Sequence, residues 1–170
     1  MSQNEMALTA ITNVSTTRHL AATKKPAPPS VYQCMVVSPS NQRAAFFQNA
    51  AVAQGWETIV VADAETAAQQ AVKNRIGLVV VDLESVQSSN QEPYRQLVEQ
   101  IVDNADNADG IPLLVVCGPE EDPAGEIWSR QLGIWMYLPG VDDQSDVAML
   151  CGEARNVVEK LKGQPVLKEQ

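Results

Sequence analysis

One carboxylate closes an otherwise apolar run, Leu78-Val79-Val80-Val81-Asp82. An acid at the carboxyl end of a buried strand is placed to attack phosphorus and form an acyl phosphate. The plainer reading of Asp82 is a cap for the turn that follows, a common role of Asp after a strand. Other chemistries find little material. The single histidine, His19, precedes the apolar region, which leaves no Ser-His-Asp or Cys-His set inside it. Cys34, Cys117 and Cys151 are widely spaced and form no CxxC pair, so they suggest neither a disulfide framework nor a zinc site and fit a reducing compartment. Asp103, Asp106 and Asp109 before Gly110 imitate a calcium loop, but the position that needs a late Glu holds Leu114. No Gly-rich phosphate loop follows the first apolar run. Asp63, Glu84, Glu120, Glu121, Asp142 and Asp143 fall in loops, where they read as solvated turn and cap residues rather than as a metal cluster.

Strands and helices in strict alternation must position Asp82. Residues 34–37 form a short apolar run without polar alternation, as expected of a strand buried on both faces. Ser40 then caps a helix with Ala44, Phe47 and Ala51 on one side, which Gly55 ends. The unit repeats. Residues 58–62 read as a strand, Asp63 caps, and Ala64, Ala67, Ala68, Ala71 and Val72 make a small-residue stripe suited to close docking on a sheet. Residues 78–81 form the third strand, followed by a polar loop and a helix with Pro93 in its first turn and Tyr94, Leu97, Val98, Ile101 and Val102 at helical spacing. A fourth strand spans 113–116, and Asp122-Pro123 opens a helix carrying Ile127, Trp128 and Leu132 before Gly133. A fifth strand is predicted over 134–138, and Ser145 is predicted to cap a last helix with Val147, Leu150, Cys151, Ala154, Val157, Val158 and Leu161 on one face. Alternation of this kind implies right-handed parallel crossovers, and it places ligand or reaction sites in the loops beyond the carboxyl ends of the strands.

Those loops resemble the receiver domain of two-component response regulators, the CheY-like family, over residues 31–161. The likeness rests on the Val-Val-Val-Asp82-Leu strand, on Pro112-Leu-Leu-Val-Val-Cys117-Gly118, and on Gly133-Ile-Trp-Met-Tyr137-Leu138. It implies an α/β, flavodoxin-like three-layer sandwich, a five-stranded parallel sheet in the order 2-1-3-4-5 with five helices. It also implies a phosphoacceptor at Asp82, phosphoryl-site neighbours at Ser38, Cys117, Gly118 and Gly140, and an aromatic switch at Tyr137. The departures bear on mechanism. The family's acidic pair that holds Mg²⁺ falls on Ser38 and Pro39, its hydroxyl after the fourth strand falls on Cys117, and its lysine and following proline fall on Gly140 and Val141. With Arg43 the one cation near these loops, the pattern implies a pseudo-receiver that has lost much of its phosphoryl chemistry, with Asp82 a weak metal candidate and no cofactor beyond a doubtful Mg²⁺. Trp128, Trp135 and Met136 flank Tyr137; Trp135 and Met136 cannot both point inward from one strand, so this face is read as a partner or homodimer surface formed by helix 4, strand 5 and helix 5.

Composition sets the outer bounds. The 170 residues suit one domain, read as 31–162 between an N-terminal tail of residues 1–30 and a C-terminal tail of 163–170. The N-terminal segment ends in Lys24-Lys25-Pro26-Ala27-Pro28-Pro29, a stiff extended spacer. A net charge of −9 opposes phosphate-backbone binding, so nucleic acid is excluded as a ligand class. No apolar run reaches membrane-spanning length and no secretory pattern opens the chain, which leads to the expectation of a cytoplasmic protein. The function expected is a stand-alone, non-enzymatic receiver-like module acting by protein contact in a phosphorelay or a derived pathway, its partner a sensor kinase or phosphotransfer protein. The alternative is a scaffold or oligomerisation subunit that reuses the fold.

Overall fold

In the computed structural model the described residues are 32–104, 110 and 112–163. Asp106, Asp109 and the segments read as tails upstream of residue 32 and beyond residue 163 lie outside them. The strands are β1 (Gln33–Val37), β2 (Glu57–Val61), β3 (Ile76–Asp82), β4 (Leu113–Gly118) and β5 (Met136–Pro139), alternating with α1 (Asn41–Ala53), α2 (Ala64–Lys73), α3 (Glu92–Asn104), α4 (Pro123–Gln131) and α5 (Gln144–Gly163). All neighbouring strands run parallel, in the order β2-β1-β3-β4-β5.

The unbroken apolar runs of β1, β3 and β4 have the burial that their composition demands, because each faces a helix layer on both sides. Met35, Val37, Val79, Val81 and Val116 meet α2, α3 and α4 through Ala67, Leu97, Val98 and Trp128. Their neighbours Cys34, Val36, Val80 and Val115 meet α1 and α5 through Phe47, Ala50, Ala51, Val147 and Ala154. The Ala-rich faces of α1 and α2 let those helices lie close to the sheet.

Side-chain caps define the helix starts. Ser40 accepts from the Arg43 amide at 3.3 Å, Asp63 from Thr66 at 2.8 Å and Asp122 from Gly125 at 2.9 Å. Two expectations need correction. The last helix is capped by Asp143, whose carboxylate accepts from the Ser145 amide at 2.8 Å, and the Ser145 hydroxyl donates to the same carboxylate instead of capping. The fifth strand begins at Met136 rather than at residue 134, because Gly133 at φ +71° and the Ile134 amide, bonded to the Ser129 carbonyl at 3.4 Å, are still unwinding α4.

Candidate functional site

Pairing of β1 with β3 sets Val37 beside Val81, so the next residues in each strand, Ser38 and Asp82, meet at the carboxyl edge. Ser38 is buried and its hydroxyl donates to Asp82 Oδ2 at 2.7 Å. Ser85, in the loop after β3, donates to the same oxygen at 2.6 Å. Asp82 has no solvent exposure, and its Oδ1 has no hydrogen-bond partner. On the other side β4 pairs Cys117 with Asp82, and the Cys117 carbonyl accepts from the Leu83 amide at 2.8 Å, which fixes the turn after the acid. Burial pushes the Cys117 thiol well above its ordinary range, with the neighbouring Asp82 charge adding to the rise.

Arg43 reaches this edge from the first turn of α1. Its Nε stands 3.7 Å from Asp82 Oδ2, Nη2 donates to Glu84 at 2.8 Å, and Nη1 donates to the Val141 carbonyl at 2.6 Å. The guanidinium lies 5.2 Å and 4.9 Å from the ring centres of Phe46 and Phe47. One side chain therefore ties α1 to the loop after β3 and to the loop after β5. From the sequence Arg43 is only a nearby cation and Glu84 one of six loop acids near this edge, and Ser85 is not placed at the acid.

Gly118 and Gly140 serve geometry. A methyl group at 118 would overlap the Tyr137 hydroxyl, which stands directly over it. Gly140 has φ +55°, donates its amide to the Gly118 carbonyl at 2.8 Å, and would bring any Cβ to 2.8 Å from that of Glu120. A long basic side chain is therefore not accommodated at 140. Tyr137 and Trp128 pack against the α2–α3–α4 side, with Trp128 donating to Glu99 at 3.2 Å and Arg95 stacked 4.6 Å from its ring centre. Trp135 packs on the opposite side with Leu138, and Met136 is the residue of this group left exposed. The three aromatic residues thus do not converge on one surface.

A hard dication requires an octahedral set of oxygen donors, commonly one or two carboxylates completed by water. Here Ser38 and Pro39 replace the expected acids, Glu84 is bound to Arg43, and a guanidinium already stands beside Asp82. Among the described residues no three His, Cys, Asp or Glu side chains gather at one point. These residues do not fit a resident Mg²⁺. A cleft of about 450 Å³ beside α3, lined by Gln91, Arg95, Pro119 and Asp122, includes neither Asp82 nor Arg43.

No family model matches the sequence, and no curated protein matches it. Solved structures do share its backbone. A response regulator receiver domain protein (CheY-like) from Methanospirillum hungatei JF-1 superposes with TM-score 0.64 at 13% identity, covering 78% of this chain and 99% of that one. A response regulator receiver domain protein from Clostridium thermocellum gives 0.62 at 13%, covering 76% and 98%. The chemotaxis protein CheY4 of Vibrio cholerae gives 0.57 at 15%, covering 73% and 97%. In strand order and in its helix layers the chain has the fold of the CheY-like response regulator receiver domains.

Proposed function

We propose that this chain is a non-catalytic signalling module of receiver fold that works through protein contact and does not accept a phosphoryl group. One observation carries the reading: Asp82 is wholly enclosed, with Oδ2 held by Ser38 and Ser85 and with Arg43 alongside. Phosphoryl transfer needs in-line access to a carboxylate oxygen and cations that take up the developing charge. Ser38, Pro39, Cys117 and Gly140 supply neither acidic metal ligands nor a lysine. The contact surface we assign is the α4–β5–α5 face, where Ile127 is 57% and Met136 37% exposed at the free edge of the sheet, and its occupant is a signalling protein or a second copy. Among the described residues no helix is long and apolar enough to cross a membrane.

The competing reading, phosphorylation on Asp82, is favoured by the one carboxylate oxygen left without a partner, Oδ1. Thermal unfolding with and without Mg²⁺ and beryllofluoride, an acyl-phosphate mimic, separates the two. The expected result is no shift in either the wild type or Asp82→Ala. A stabilisation of about 3 °C or more in the wild type that vanishes in Asp82→Ala would establish the phosphoacceptor and overturn the proposal.

A further inference from the structure

Arg43 sits where a cation is least welcome. It lies in the first turn of α1, three residues after the Ser40 cap, where the exposed amides give the helix a positive end and no acidic residue of the helix offsets it. Its compensation comes from elsewhere in the chain. Two nitrogens of the guanidinium hydrogen-bond to oxygens at the sheet edge, Nη2 to Glu84 at 2.8 Å and Nη1 to the Val141 carbonyl at 2.6 Å, and the third, Nε, forms an ion pair with Asp82 at 3.7 Å without a hydrogen bond. Asp82 is a carboxylate without solvent exposure, whose charge needs a partner inside the protein.

We infer that Arg43 is the resident cation of this edge: its guanidinium does for Asp82 and Glu84 what a bound dication would otherwise do, and it keeps dications out. Without it the edge presents two carboxylates, the Val141 carbonyl and the hydroxyls of Ser38 and Ser85, a set made only of hard oxygen donors. One or two carboxylates completed by water are enough for Mg²⁺. The edge is thus a latent divalent-cation site silenced by a tethered charge. The charge is tethered to α1 by its own side chain, so the block does not depend on ion supply.

The inference rests on the reading of this edge as closed to phosphoryl transfer, but its test uses the metal alone. The full chain is titrated with Mg²⁺ and with Mn²⁺ to about 20 mM, against monovalent salt of equal ionic strength, and the unfolding midpoint is followed. The wild type should not respond. Arg43→Met, which keeps an apolar stem for Phe46 and Phe47 and removes the charge, should melt lower without metal and recover by about 3 °C or more with it. Adding Asp82→Asn should abolish that recovery. Arg43→Gln carries the same comparison if Arg43→Met does not fold. A neutral variant as indifferent to dications as the wild type, or a wild type that responds, would overturn the inference. Neither result depends on beryllofluoride, so this idea and the reading beneath it fail separately.

Discussion

Tyr137 has a buried hydroxyl without a hydrogen-bond partner, and desolvation, with the Asp122 charge second, pushes its phenol up to about 12. A buried O–H of this kind has lost its water and gained nothing in exchange. Tyr137→Phe should therefore be neutral or stabilising in urea unfolding, an unusual result for a half-buried tyrosine. Gly118→Ala, which places a methyl against that hydroxyl, should destabilise by about 1–3 kcal/mol. The double variant should recover part of the loss, because the overlap is shared between the two residues. At this scale the sequence discloses Asp82 and Ser38, since strand ends follow from apolar runs and register then sets them side by side. Ser85 and Arg43 are harder to see, because their roles depend on side-chain reach. An arginine in the first turn of α1, opposed by the helix dipole, was the readable sign that an anion lay ahead of it.

Helix starts make the second level of control. Asp63 accepts hydrogen bonds from the backbone and side chain of Thr66, three residues on, and Asp143 from those of Ser145, two residues on, and these bonds hold both carboxyls below their ordinary value. A lowered pKa in the folded state means stabilisation present above the unfolded pKa, 3.8, and lost as pH falls through the folded value. The urea midpoint should accordingly drop between about pH 5 and pH 2. The Asp63→Asn, Asp143→Asn pair should flatten that drop, since Asn caps equally well and does not titrate. Each strand and helix is legible from periodicity and caps, and the errors fall at the boundaries. Ser145 and Asp143 are both good caps, and only the backbone path selects Asp143. Trp128, Trp135 and Tyr137 read as one aromatic patch, but the late start of β5 sends Trp135 to the other side of the sheet.

Across the whole molecule the three cysteines, Cys34, Cys117 and Cys151, all lie in the core between the sheet and α1–α5. Burial pushes Cys34 and Cys117 well above the ordinary thiol range and Cys151 to about 11. Since the thiolate is the reacting form, an aromatic disulfide reagent should label none of them in the native protein and all three in denaturant. Fast labelling without denaturant would show that this side of the core opens locally. The three-layer architecture is legible from the alternation alone, whereas the strand order comes from the family resemblance, because periodicity does not say which buried strand lies beside which. That order also sets a schedule. The Ser38–Asp82 bond joins residues 44 apart, and the Arg43–Val141 bond joins residues 98 apart. A nascent chain therefore makes Asp82 and Glu84 well before the carbonyl that completes the grip of Arg43. The clasp at the sheet edge becomes available only once β5 has been made, and its closure marks a sheet whose five strands are all present while α5 is still to come.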